Sequence, residues 1–189
     1  MLSSSFFQNY SQVVAGVRLC LEKQLLMPAL ILIYTLMDSF AWACSDKAQT
    51  KVRTRFEAWT QQWVLTQGNL PCTATELYAA RCAVLHTLTR YTDLTKNENV
   101  RKITYSWGNA DNSALQGAFD ALGHTDTVAV HVNDLFGAVC EAMAAITEQA
   151  STAPQLKQRL EEAAVLHFTG LEKRTVAQFL EQVHGIKNV

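Results

Sequence analysis

The sequence predicts a mainly α-helical single domain with a small β element. Its 189 residues are a common length for one domain with a sizeable core. A composition of 49% hydrophobic and 17% charged residues is typical of a soluble globular protein. Three prolines and eight glycines are few for this length, which favours long helices over many turns. Because no repeat or linker divides the chain, residues 1–189 are predicted to fold as one unit.

Apolar residues recur at helical spacing through the N-terminal third of the chain. Residues 5–23 predict an amphipathic first helix, and residues 27–44 predict a second that is apolar on nearly all sides and central in a bundle. Asp38 lies within the second segment. Because a charge is costly in lipid, we expect a buried helix here rather than a membrane span.

A third helix is predicted over residues 51–67, ending before Gly68. Its core stripe consists of Val52, Phe56, Trp59 and Trp63. The pattern "TATE" predicts a fourth helix that opens with a capping box: Thr73 accepts from the Glu76 backbone while the Glu76 side chain reaches back.

Two short strands are predicted after the fourth helix. The β-branched and aromatic residues of "RKITYSW" and "TVAVHV" predict strands over 101–107 and 127–132. Between them, "SALQGAFDALG" predicts a short helix that Gly123 ends. The expected fold therefore contains a two-stranded β element beside the helices.

The C-terminal part of the chain predicts three further helices. Asn133 or Asp134 is expected to cap the first. Pro154 begins the second, which breaks at Gly170, and a last helix begins at Thr175. We expect these acidic helices to pack beside a four-helix core.

Charge is distributed unevenly along the chain. The first 106 residues hold 11 Lys and Arg against 7 Asp and Glu, and the remainder hold 5 against 10. A modest positive half can meet phosphates, but it is too weak to grip nucleic acid by charge alone. Any contact with nucleic acid is therefore expected to be local.

The cysteines and histidines predict neither a disulfide framework nor a metal centre. Cysteine is found at five scattered positions without a C-x-x-C pair, which indicates reduced thiols and a cytoplasmic protein. No signal peptide is recognised at the N-terminus. The histidines outside the fourth helix are isolated, so we expect no metal and no cofactor. These histidines are His124, His131, His167 and His184. His131 alternates with Val130 and Val132 in the second predicted strand, so we expect it to point to solvent.

The fourth helix carries two ionisable residues in an apolar setting, Arg81 and His86. An unpaired buried Arg is costly, so Arg81 must reach a carboxylate, a phosphate or a wet cleft. Five helical residues turn through roughly 140° and rise roughly 7.5 Å, so the two residues do not share one stripe. Two interpretations follow. Either Arg81 pairs with Asp38 while His86 is hydrogen-bonded in the core, or both flank a groove as a site.

The stretch "RCAVLH", residues 81–86, resembles the Arg-x4-6-His signature of HEPN domains. The surrounding "YTLMDSFAWAC", "RFEAWTQQWV" and "LYAARCAVLHTLT" resemble uncharacterised bacterial HEPN-like proteins over a core of about residues 5–110. The C-terminal extension, about residues 111–189, brings no recognised motif. The resemblance implies a HEPN-like up-and-down helical bundle.

The resemblance also implies a function: metal-independent endoribonuclease activity in a homodimer whose two copies meet at one cleft. His86 would move the protons, Arg81 would hold the scissile phosphate, and Asp38 would orient them. The products would carry 2′,3′-cyclic phosphate and 5′-OH ends. Such proteins serve as toxins or in antiviral defence, which implies RNA and a cognate antitoxin or defence protein as partners.

One position departs from the family pattern. Cys82 stands where many active members have a polar residue, often Asn, and the superfamily includes proteins that do not cleave RNA. A second interpretation is therefore a noncatalytic homodimeric interaction or nucleotide-binding module.

A further set of candidate RNA contacts lies in "RKITYSWGN": Lys102, Tyr105 and Trp107. A cation beside aromatic rings can bind a phosphate while the rings stack on bases. The alternative is a strand that packs its aromatic residues on the bundle.

Overall fold

The computed structural model describes residues 4–97 and 100–166, and the predicted mainly helical fold with a small β element is confirmed. In chain order the elements are α1 (Ser4–Glu22), α2 (Leu26–Cys44), α3 (Val52–Trp59), a π-helical segment (Thr60–Val64), α4 (Leu65–Gln67), α5 (Ala74–Thr87), α6 (Asp93–Asn97), β1 (Lys102–Ser106), α7 (Asn112–Ala121), β2 (Thr127–His131), α8 (Val132–Ala150) and α9 (Pro154–Val165).

Helix α2 is the central element of the fold. It packs against α1, α3, α5, α8 and α9, as expected of a helix that is apolar on nearly all sides. Its fully buried side chains include Ile33, Tyr34 and Phe40. By length and composition α2 could also cross a membrane, and half of its most apolar 18-residue window is buried inside the fold.

The predicted third helix is continuous but not α-helical throughout. Between α3 and α4 the backbone widens into the π-helical segment, which carries the buried residues Thr60, Trp63 and Val64. Apolar spacing did not reveal this segment, because one extra residue per turn still leaves Trp59 and Trp63 facing the core.

Gly68 ends this helix as predicted, and its lack of a side chain brings two elements together. A Cβ at position 68 would lie 2.5 Å from the Cβ of Ala138 on α8. The close approach of α4 to α8 therefore needs glycine.

Helix α5 begins with the predicted capping box. The Glu76 N–H donates to Thr73 Oγ1 at 3.2 Å, and the Thr73 N–H donates to Glu76 Oε2 at 2.8 Å. The Glu76 carboxylate is buried and also accepts from Arg101 Nε at 2.6 Å, which ties the start of α5 to the residue before β1. The cap is thus also a tertiary contact.

The two strands form a βαβ unit. β1 and β2 pair in parallel, with Lys102 opposite Thr127 and Ser106 opposite His131. Helix α7 connects them and packs on β2, as a parallel connection requires. Asn112 at its start accepts from Ser106 Oγ at 2.9 Å and donates to the Ala129 carbonyl at 3.2 Å, so one side chain bridges both strands.

The start of α8 corrects two predictions. The capping residue is His131 rather than Asn133 or Asp134, because β2 runs directly into the helix and leaves no loop. His131 Nδ1 accepts from the Asn133 N–H, while Nε2 donates to the Gly108 carbonyl at 3.2 Å. His131 is therefore half-buried with both ring nitrogens engaged, not directed to solvent.

One hydrophobic core joins residues of the predicted 5–110 core to the described part of the extension. Val130, Leu135, Val139, Ile146 and Leu160 are fully buried in the same cluster as Tyr34 and Phe56. The predicted break at Gly170, the helix from Thr175, and His167 and His184 lie outside the described residues.

Candidate functional site

Two packed helices, α2 and α5, bring Asp38 and Arg81 together. Arg81 Nε donates to Asp38 Oδ2 at 2.7 Å, and Nη2 lies 2.5 Å from the same oxygen. The side chains are only 14% and 23% exposed, respectively. The pairing of Arg81 with Asp38, which belonged to one of the two interpretations of the sequence, is therefore confirmed.

The remaining nitrogen of the Arg81 guanidinium points to His86. Nη1 lies 3.1 Å from His86 Nε2 and 3.9 Å from Cys82 Sγ. A guanidinium can only donate, so Nε2 accepts and the His86 ring is the neutral Nδ1–H tautomer in this arrangement. The long Arg side chain thus spans the angle that separates the two positions on the helix.

His86 is exposed, so the expectation that it is hydrogen-bonded in the core is wrong. It lies in the last turn of α5, where Thr87 and Leu88 are also exposed. Because this turn projects beyond the packed part of the helix, the imidazole meets solvent on one side and Arg81 on the other.

The electrostatics of the site keep Arg81 charged. Burial lowers the pKa of Arg81, but the hydrogen bond and the negative charge of Asp38 outweigh this effect, and the pKa is raised above its ordinary value. The site therefore presents a permanent cation next to an exposed imidazole.

Tyr78 is a member of the site that the sequence did not single out. The Arg81 Cζ lies 6.0 Å from the Tyr78 ring centroid, and the Arg53 Cζ lies 5.9 Å from it. Burial, and then the neighbouring Cys82 thiol, raise the pKa of the Tyr78 hydroxyl. The i, i+3 spacing from Tyr78 to Arg81 on one helix was the available signal.

The three candidate RNA contacts of the β1 region fall in two places. Lys102 and Tyr105 line a cavity beside the C-terminal end of α5, whereas Trp107, 38% exposed, borders a different cavity with Gly108 and Asn133. The Tyr105 and Tyr34 hydroxyls form a hydrogen bond with each other, and burial raises the pKa of both. Tyr105 thus belongs to the wall of the cavity rather than to an open surface.

No group of three His, Cys, Asp or Glu side chains in the ranges 4–97 and 100–166 is placed to hold a metal ion. Comparison of the chain with protein-family models, with curated proteins and with solved structures finds no match.

Proposed function

We propose that the protein is a HEPN-like endoribonuclease that acts as a homodimer and needs no metal. The observation that supports this most directly is the contact between Arg81 Nη1 and His86 Nε2 at the exposed end of α5. Asp38 accepts a hydrogen bond from Nε of Arg81 and so fixes the guanidinium whose Nη1 contacts His86. A preorganised cation beside an accessible imidazole suits phosphate-ester chemistry.

In the proposed reaction, the scissile phosphate takes the Arg81 Nη1 donor away from His86, and the freed Nε2 of neutral His86 accepts the proton of a ribose 2′-OH. The 2′-oxygen then forms a bond to phosphorus while the bond from phosphorus to the 5′-oxygen breaks. Arg81 stabilises the negative charge that develops on the phosphoryl oxygens. The products are a 2′,3′-cyclic phosphate and a 5′-OH.

The departing 5′-oxygen needs a proton from an acid. One protomer offers one imidazole at this site, and that imidazole acts as the base. In a dimer, a second copy of His86, in its protonated form, supplies the acid. This requirement for a second imidazole is the chemical reason to expect a homodimer.

The decisive experiment is RNA cleavage by the purified protein in EDTA. We expect His86→Gln to lower the cleavage rate by about 100-fold or more, since general acid–base catalysis is worth that much. His124→Gln is the matched control, because His124 is also exposed and lies far along the chain from α5. Uncut RNA, or equal cutting by the two variants, would overturn the proposal.

A second candidate is a noncatalytic homodimeric interaction or nucleotide-binding module. It is favoured by the way Asp38 already engages two of the three guanidinium nitrogens of Arg81, and by Cys82 at the position next to Arg81. On this view the ion pair only joins α2 to α5. The protein would then be dimeric by analytical ultracentrifugation but inert towards RNA, and His86→Gln would change neither property.

We also propose a cytoplasmic role in defence or in a toxin–antitoxin pair, with a cognate antitoxin or defence protein as partner and no membrane attachment. Cell fractionation tests the location. Growth arrest on expression of the wild type, absent for His86→Gln, tests the toxin role.

A further inference from the structure

A second feature of the fold lies along the C-terminal half of α5. A cavity of about 490 Å³ opens between the start of α2, the C-terminal half of α5 and β1; we call it the α5–β1 pocket. Its floor is apolar and is formed by residues such as Leu30, Val84 and Ile103. Its rim begins at Leu88, two residues after His86 in the chain, while Arg81 and His86 do not line it.

The backbone at the rim holds an aromatic ring at the pocket mouth. Leu88 adopts a left-handed conformation with φ of 52°, which ends α5 and redirects the chain. The Thr89 hydroxyl then accepts from the Tyr91 N–H at 3.3 Å and donates to the Tyr91 carbonyl at 3.1 Å. The Tyr91 side chain is 49% exposed and lines the pocket.

The charges of the pocket suit an anion. Its described lining includes Arg90, Arg101 and Lys102 but no Asp or Glu. Arg101 is paired with Glu76, and Lys102 with a carboxylate outside the pocket, Asp126.

Arg90, unlike Arg101 and Lys102, is not paired with a carboxylate in the described part of the chain. It has no ion-pair partner among residues 4–97 and 100–166. Its Cζ lies 5.6 Å from the Tyr91 ring centroid, and Lys102 Nζ lies 5.3 Å from that centroid. A phosphate at the mouth would therefore meet two cations beside an aromatic ring.

A residue of the pocket wall also carries a hydroxyl that forms no hydrogen bond within the described part of the chain. Within the described part of the chain, Thr104 Oγ1 is buried without a hydrogen-bond partner, and Thr104 lines the pocket. A buried hydroxyl without a partner is costly and can be satisfied by a ligand.

We propose that the α5–β1 pocket takes a nucleobase of single-stranded RNA. Tyr91 stacks on the base, and Arg90 contacts the adjoining phosphate. This inference rests on the proposed ribonuclease function and names its substrate class. A base inside a duplex is unavailable for such stacking, so the pocket selects single strands.

The test is binding of a fluorescent single-stranded 2′-O-methyl RNA, which cannot be cleaved because it lacks the free 2′-OH. We expect Tyr91→Ala to raise the Kd by about fivefold or more, since stacking of one base contributes at least that factor. Tyr91→Phe keeps the ring and should bind as the wild type does. Far-ultraviolet circular dichroism checks that both variants are folded.

The salt dependence tests the cation separately. Arg90→Ala should reduce the slope of log Kd against log salt by about 0.7, the value for one phosphate contact on a single strand. Arg18→Ala is the matched control, because Arg18 is exposed on α1 and does not line the pocket. It should leave the slope unchanged.

The outcomes separate this inference from the ribonuclease proposal. Equal Kd values for the wild type and Tyr91→Ala, or no binding at all, overturn the pocket even if RNA is cut at His86. Binding that depends on Tyr91 without any cleavage supports the pocket and overturns the ribonuclease. A free nucleoside monophosphate that binds as tightly as the oligonucleotide, with the same dependence on Tyr91, shows a mononucleotide ligand and overturns RNA as the occupant.

Discussion

Replacing Arg81 by alanine leaves the carboxylate of Asp38 between α2 and α5 without its hydrogen bond from Nε and its ion-pair contact with Nη2. For a fully buried pair, loss of one partner costs about 3–5 kcal/mol. Because the two side chains retain 14% and 23% exposure, water can reach part of the carboxylate. We therefore expect Arg81→Ala to lower the free energy of unfolding by about 2–4 kcal/mol.

A double-mutant cycle isolates the pair from other losses. Asp38→Ala should also destabilise the protein, while the double variant should cost less than the two single changes together, with a coupling energy of about 1–3 kcal/mol. The free energies are measured by urea unfolding, followed by the fluorescence of the buried Trp59 and Trp63. All variants are compared at one protein concentration, because a dimer would make stability concentration-dependent.

The control is His86→Gln, which changes the other neighbour of Arg81 but at an exposed position. It should alter stability by less than about 0.5 kcal/mol. A coupling energy below about 0.5 kcal/mol for Arg81 and Asp38 would refute the argument that this ion pair joins the two helices.

Two further substitutions and one alkylation experiment test the packing of the fold. Glu76→Ala removes both the cap of α5 and the partner of Arg101, so urea unfolding should show a loss of about 2–4 kcal/mol; a loss below about 1 kcal/mol would contradict this double role. Gly68→Ala places a Cβ 2.5 Å from an α8 side chain and should cost about 1–3 kcal/mol, and an unchanged unfolding midpoint would show that α8 moves aside freely. Burial raises the pKa of the Cys44 and Cys72 thiols to about 12, so mass spectrometry should find them resistant to iodoacetamide in the folded protein and reactive in urea. Equal alkylation with and without urea would show that the thiols are accessible. Since the native thiols stay protonated at pH values where the thiols of the unfolded chain ionise, the free energy of unfolding should fall as the pH rises from 9 towards 12.

The local features of the fold were predictable because neighbouring residues produce them. The capping box of Thr73 and Glu76 needs only a helix start and a spacing of three residues along the chain. Helix limits near Gly68 and Pro154 follow from residues with unusual backbones. Such signals operate within one turn and do not depend on the rest of the molecule.

The site itself was predictable only in part. An Arg in an apolar helix must find a carboxylate, and Asp38 was the lone acid of the preceding apolar helix, so their pairing could be expected. The exposure of His86, the contact of Tyr78 with two arginines, and the capping role of His131 depend on where elements end relative to one another. Spacing along one helix does not contain that information.

The sequence by itself determined the long helices, the two strands and the need of Arg81 for a partner, because periodicity, capping and the cost of a buried charge are properties of short segments. Only the tertiary structure decided that the guanidinium reaches both Asp38 and His86, and that Tyr91 shares a pocket with Lys102. The physical reason is that these groups meet through the packing of α2, α5 and β1, which depends on the whole core and not on any one segment.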